Sequence, residues 1–245
     1  MQNASNIALS RLVAQQRSLD VTATNIANTG TPGFKAERVL FADWLDPQRK
    51  TVAPRGGLVV AYTQDHATYR KQEAGALAHT ANPFDLAIGG SGDFTVQTAR
   101  GPMLTRAGHF GLQPNGSVGD SDGNALLDTA GQPVRVSPTD TRIQIASDGT
   151  ISSENGTLGK IGVVQPADVN RMQAQGGRLL RAETATAQTV QPHIIQGAVE
   201  ESNVQAVEET TLMMGEMREF QFASEFVQSE SERQQSAIDK LTRQS

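Results

Sequence analysis

Residues 203–242 read NVQAVEETTLMMGEMREFQFASEFVQSESERQQSAIDKLT. The stretch contains no proline, and its one glycine is Gly215. Met213, Met217, Phe220, Ser224, Val227, Ser231, Gln234, Ile238 and Leu241 recur at alternating spacings of four and three. That is a heptad register, the signature of a long helix built to pack against other helices. Ser202-x-x-Gln205 has the form of a capping box at its start. Forty helical residues would span about 60 Å. Leu212, Phe222 and Phe226 lie off the seam, so the helix has apolar residues on two faces and calls for more than one helical neighbour.

The opposite end carries a shorter counterpart. Residues 4–28 repeat Leu12, Leu19 and Ile26 at intervals of seven, with Leu9 and Val13 beside them. Asn3 is placed to cap this helix. Gly30 is expected to end it in a left-handed conformation, and Pro32 prevents its continuation. Isolated helices of this length are marginal in water, so the two ends are expected to fold against other copies of the chain.

Between the ends the pattern changes. Residues 36–75 read as a linker with one or two strands: a cluster of Leu40, Phe41, Trp44 and Leu45, then Pro47, Pro54, Gly56 and Gly57, then an apolar run from Leu58 to Tyr62. Residues 76–196 read as β. Short apolar or alternating runs such as Leu86-Ala87-Ile88 and Phe94-Thr95-Val96 are separated by dense turn signals. These include Asn115-Gly116, Asp122-Gly123, Asp148-Gly149 and Asn155-Gly156, the dipeptides of tight hairpins. The predicted fold class is α+β. Paired N- and C-terminal helices form a coiled-coil-like inner domain, residues 1–35 and 197–245, around an inserted, mostly antiparallel β domain.

Composition narrows the function. The 245 residues carry a formal net charge of −5, which leaves no basic footprint for nucleic acid. Residues 200–245 hold ten acids and four bases, whereas residues 1–40 hold four bases and two acids. The ends therefore attract each other weakly at long range. With no cysteine, disulfides, thiolate metal sites and cysteine nucleophiles are excluded. No run of 18 apolar residues offers a membrane span, and the first residues are too polar for a cleaved signal peptide.

Catalytic and ligand motifs do not form. His66, His79, His109 and His193 are isolated, without the spacing of a metal pair. Asp120-Ser121-Asp122-Gly123-Asn124 opens like a calcium loop, but glycine is missing at its sixth position and Gly131 stands where glutamate is required. Gly90-Ser91-Gly92 lacks the third glycine of a dinucleotide fingerprint. No nucleophile elbow surrounds any serine. Met213, Met214 and Met217 read as adaptable packing. No cofactor, metal or small-molecule substrate is expected.

The segment from Leu19 to Lys35, which closes with Asn25-Ile26-Ala27-Asn28 and Pro32-Gly33-Phe34-Lys35, resembles the N-terminal signature of bacterial flagellar rod and hook proteins. Gly197-Ala198-Val199-Glu200-Glu201-Ser202-Asn203-Val204, followed by Glu208-Glu209, resembles that family's entry into its C-terminal helix. Asp65 to Arg70, Gly75-Ala76-Leu77, Asn82 to Ile88 and Thr105 to Phe110 are similar to its proximal-rod branch. The family usually places paired aromatics after Gly-x-Gly, where this chain has Asp93-Phe94.

The resemblance implies a non-enzymatic structural subunit of the proximal rod, the drive shaft of the flagellar basal body. Its partners would be copies of itself, other rod proteins and the flagellar type III export apparatus. It would leave the cell without a cleaved signal and form part of a helical tube crossing the periplasm. The residues implied in assembly are Leu9, Leu12, Leu19 and Ile26 in the first helix and Met213, Met217, Phe220, Val227, Ile238 and Leu241 in the last. Asn25, Asn28, Pro32, Gly33 and Phe34 form the family turn, and Ser202 and Asn203 form the helix entry. A distal-rod or hook-like subunit is the alternative within the family. A secreted β-domain adhesin or enzyme with oligomerising tails is the remoter one, and it would need a pocket with convergent polar groups in the β region.

Overall fold

The computed structural model describes residues 2–47, 59–137, 139–176 and 178–242. Pro54, Gly56, Gly57 and Leu58 lie outside them, as do the side chains of Phe41, Trp44, Leu45, His66, Gln234, Ile238 and Leu241. The chain is α+β: two helices and eighteen strands among the described residues, with antiparallel pairing in the β region. It divides into two compact units. The first comprises residues 1–26, 37–69 and 205–245, and the second residues 27–36 and 70–204.

In the first unit, helix α1 spans Gln2–Ala27 and helix α2 spans Ala206–Thr242. At 37 residues α2 is roughly 55 Å long. Glu208 and Glu209 in its first turn and Lys240 in its last oppose the helix dipole. Strands Glu37–Pro47 and Val59–Arg70 pair with each other.

Two helix boundaries differ from expectation. Residue 2 is already helical, so Asn3 lies inside α1 rather than capping it. At the other end α2 begins at Ala206, not at residue 203. The Ser202 hydroxyl accepts from the Val204 amide at 3.2 Å. This local serine turn satisfies the backbone before the helix starts and replaces the capping box.

The second unit is the β body. Strand Asp93–Thr98 forms a hairpin with Gly101–Thr105, and its other edge pairs with Ala125–Leu126 and Val163–Pro166. Its alternation puts Phe94 and Val96 inward, fully buried, while Gln97 stays exposed. They join Leu86, Ile88, Leu126, Ile151, Ile161 and Val163 in one core. The Phe94 and Phe110 rings meet edge to face with centroids 5.4 Å apart, the geometry that the aromatic quadrupole favours. Thus a single aromatic after Gly90-Ser91-Gly92 suffices here, because Phe110 supplies the second ring from the loop that follows strand Gly101–Thr105.

The body is closed by pairings between its first and last strands. Leu77–His79 pairs with Ala198–Glu200, and Leu86–Ile88 pairs with Ile194–Gln196. Chain entry and exit therefore run side by side, although more than a hundred residues separate them.

Truncating Phe94 to alanine would remove both its buried contacts and the edge of Phe110. We expect a loss of about 3–5 kcal/mol, read as a lower urea midpoint with unchanged slope for the full chain.

Candidate assembly site

The helix seam of the first unit mixes apolar residues with hydrogen-bonding ones. On α1 the buried row is Ala14, Val21, Thr22 and Asn25. On α2 it begins at Glu209 and runs through Met213, Glu216, Phe220, Ala223 and Val227 to Glu230. Spacings of four and three are kept, but the row is rotated from the one drawn through Met217 and Ser224, both of which are exposed. Gln15 donates to Glu219 at 3.4 Å, Ser18 to Glu216, and Asn25 to Glu209 at 3.2 Å. Partner numbers fall on α2 as they rise on α1, so these contacts run antiparallel. The acids face inward because the α1 residues opposite them are hydrogen-bonding ones.

Asn25 and Glu209 anchor this seam, at 0% and 1% exposure. The Asn25 amide donates to the Glu37 carbonyl and accepts from the Glu37 amide, each at 2.9 Å. It thus imitates a strand neighbour for the chain after the turn. Arg38 grips Glu209 with two guanidinium nitrogens, one at 2.9 Å. The hydrogen bond to Glu209 raises the Arg38 pKa, and burial opposes it less strongly. The bidentate fork meets both oxygens of this buried carboxylate.

Other apolar side chains of the two helices are exposed. Phe222 is 71% exposed and Phe226 53%. Val207, Leu212, Met214 and Met217 on α2, and Leu9 and Val13 on α1, are exposed as well. Leu12, Leu19 and Ile26 are half-buried.

In the second unit the family turn is a closed structure. Thr31 donates its amide to the Asn28 carbonyl and its hydroxyl to the Asn28 side chain, both at 3.1 Å. The Phe34 amide reaches the Thr31 carbonyl at 3.2 Å across Pro32 and Gly33. Proline followed by a left-handed glycine is the pattern of a type II turn. Gly33, with φ of 71°, therefore takes the conformation expected at Gly30. A Cβ on Gly33 would sit 2.3 Å from the Arg106 carbonyl carbon. Phe34 packs with Ala36 and Val204 in a small separate core.

Around this turn lies a second buried carboxylate. Glu200, 1% exposed, receives Arg106 Nε at 2.6 Å, the Gly75 amide at 3.0 Å and the Lys35 ammonium. The remaining Arg106 nitrogens donate to the carbonyls of Ile88, Gly90 and Gly92. Burial pushes the Glu200 carboxyl up, but Lys35, Arg106 and the Gly75 amide outweigh it and hold it below the ordinary glutamate value. Nearby, burial pushes the Asp93 carboxyl up, against the pull of Arg106 and Lys35. Asn203 completes the arrangement. It accepts from the Ala36 amide at 2.7 Å and donates to the carbonyls of Lys71 and Glu73, at 3.3 and 2.9 Å.

Three family models match the chain. "Flagella basal body rod protein" covers residues 6–35, "Flagellar hook protein FlgE/F/G D1 domain" 87–153, and "Flagellar basal body rod FlgEFG protein C-terminal" 195–240. The flagellar basal-body rod protein FlgF of Caulobacter vibrioides is 32% identical over 243 residues, 98% of each chain. The chain belongs to the flagellar basal-body rod protein family. FlgF of Mesorhizobium japonicum is 31% identical over 98% of each chain. The rod protein FlgG of Bacillus subtilis is 32% identical, covering 89% of this chain and 90% of its own.

This rod-family chain is accordingly a structural subunit of the flagellar basal body and not an enzyme, and rod proteins assemble with themselves and with other rod components. No helix among the described residues is long and apolar enough to cross a membrane.

Of the residues singled out from sequence, Asn25, Gly33 and Phe34 are buried, and Asn28, Pro32, Ser202 and Asn203 are half-buried. Met213, Phe220 and Val227 face inward half-buried, whereas Leu9 and Met217 are exposed. Sequence reasoning missed the roles of Lys35, Arg38, Arg106, Glu200 and Glu209. The available signal was a charge inside the apolar run Ala198-Val199-Glu200.

Replacing Glu200 with glutamine would strand Arg106 and Lys35 beside a neutral group. We expect a loss of about 3–5 kcal/mol by chemical denaturation at neutral pH. Because the folded carboxyl titrates below the unfolded one, its contribution is complete above the ordinary carboxylate range. It disappears as pH falls through the lowered value. The wild-type advantage over Glu200→Gln should therefore shrink on acidification, and a constant gap would contradict this account.

Proposed function

We propose that this chain is a subunit of the proximal rod and self-assembles through its terminal helices into a helical tube. The carrying observation is the set of large apolar side chains those helices leave exposed beyond a seam already filled. Gln15, Ser18 and Asn25 meet Glu219, Glu216 and Glu209 in the seam, while Leu212, Phe222 and Phe226 are exposed. Ala14, Val21, Met213, Phe220 and Val227 supply the apolar part of that pairing, and the exposed apolar area remains for neighbours. Burying a Leu or Phe side chain fully is worth roughly 1.5–3 kcal/mol. A few such residues per copy, repeated along a shaft, amount to a strong association. Exposed apolar patches of this kind mark interaction surfaces.

In this reading α1 and α2 form a coiled-coil-like pair. Met213, Phe220 and Val227 belong to that pair, and Leu9, Leu12, Leu19 and Ile26 on one helix with Met217, Ile238 and Leu241 on the other complete the contact with adjoining copies. The assembly domain comprises residues 1–35 and 197–245, residues 36–75 link it to the rest, and the β domain of residues 76–196 braces neighbours laterally. The subunit passes through the flagellar type III export apparatus without a cleaved signal, and the rod it joins crosses the periplasm. A distal-rod or hook-like place is the second reading, favoured by a FlgG-named relative as similar as the FlgF-named ones.

Phe222→Asp and Phe226→Asp test the assembly face. Both side chains are exposed, so unfolding free energy should change by no more than about 0.5 kcal/mol. Basal bodies purified from cells carrying only the variant should lack a completed rod. Normal rods and swimming would remove this face from the assembly surface.

A further inference from the structure

The second unit is left by the chain at three places other than the α1 junction's own turn: after Ala36, before Arg70 and after Val204. All three lie within a few residues of one hydrogen-bonded cluster. The Asn203 side chain accepts from the Ala36 amide and donates to the Lys71 and Glu73 carbonyls. One amide therefore holds the backbones of the other two crossings. Lys35 repeats the pattern from the first crossing, donating to the Glu73 carbonyl at 2.8 Å and to Glu200. Backbone bonds add to this: Lys71 to Ala36 at 2.9 Å, Gly33 to Glu200 at 2.7 Å and Asn203 to Phe34 at 3.3 Å. The cluster is fastened to the β core through Arg106, which spans Glu200 and three carbonyls of residues 88–92.

Phe94, Leu126, Ile151 and the rest of the main cluster are separate from the small cluster of Phe34, Ala36 and Val204. The clamp satisfies backbone groups with side chains whose geometry is specific, which makes its purpose the spacing of the crossings rather than burial.

We propose that Asn203, together with Lys35 on Glu200, is a positioning site for assembly: it fixes the spacing of the three chain crossings that lead into the strand pair, out of it, and on to α2. This rests on the reading that the terminal helices assemble the rod. A helix whose starting point wanders by even a few ångströms could not meet several neighbours in register.

The test uses the full chain with Asn203→Asp, which keeps the acceptor for Ala36 and abolishes both donors. Lys35→Met is the second variant; it leaves Asn203 and the Arg106–Glu200 pair intact, so it reports even where Asn203→Asp does not fold. Lys35→Arg is the conservative control. Three readouts are taken: the urea midpoint, amide exchange by mass spectrometry, and completed rods per cell in a strain lacking its own copy. We expect a lowered midpoint with a transition that stays cooperative, at least tenfold faster exchange centred on residues 33–36 and 71–75, and at least tenfold fewer completed rods, with Lys35→Arg restoring most of them.

Faster exchange with normal rod numbers would overturn the proposal, because loose crossings would then be tolerated. Unchanged exchange would overturn it too, because the side chains would not be holding the crossings. Phe222→Asp run in parallel separates the two ideas. If it assembles normally, the assembly reading falls; if it fails while Asn203→Asp and Lys35→Met assemble, only the clamp falls.

Discussion

A carboxylate sealed from water at 1% exposure must be matched by cations and hydrogen-bond donors or the fold will not accept it. Glu200 meets that demand with Lys35 from the N-terminal turn, Arg106 from the β body and the Gly75 amide from the approach to it. The three donors come from positions 165, 94 and 125 residues away. Their convergence ties distant parts of the chain to one point. The tight turn at Gly33, the three carbonyls on Arg106 and the cross-chain bonds of Asn203 are arranged around it. A glycine is required where the turn passes against Arg106 because any Cβ would overlap the backbone there.

The helices obey a different balance. Between α1 and α2 the seam interleaves apolar residues such as Val21 and Phe220 with amides, hydroxyls and carboxylates, and Arg38 pairs with Glu209 at the end nearest the turn. Such groups gain little net stability when they pair, because they surrender hydrogen bonds to water. They gain specificity, since an unmatched buried polar atom is costly. The polar contacts in the seam thus set the register of the pair, while Leu212, Phe222 and Phe226 are left outward. Under the proposed assembly role, that division separates choosing the helix alignment from supplying association energy.

Much of the β body was legible from the residues. Phe94 and Val96 alternate with Thr95 and Gln97, and the Asn-Gly and Asp-Gly pairs fall between strands, because period-two burial and turn chemistry are local properties. The long C-terminal helix was legible for the same reason. Its inward face was not. Met213, Phe220 and Val227 fit either heptad row, and only the residues across the seam decide whether Met217 or Glu216 turns inward. Gly30 and Gly33 were equally difficult to separate: both are near a helix end, and the hydrogen bond closing Thr31 to Phe34 selects the second.

By itself, then, the sequence determined the element types, the long heptad helix, the turn positions, the absence of thiol chemistry and the kinship of the two terminal motifs. These depend on neighbours within a few residues, or on residue types alone. Tertiary structure decided which charges are buried and which apolar residues are left outside. Lys35, Arg106 and Glu200 look like ordinary surface charges until non-local strand pairing brings them together. Phe222 and Phe226 look like core until the helix seam is filled by Asn25, Ser18 and their acidic partners. Burial is a property of what lies across the gap, and no local pattern along one chain segment specifies that.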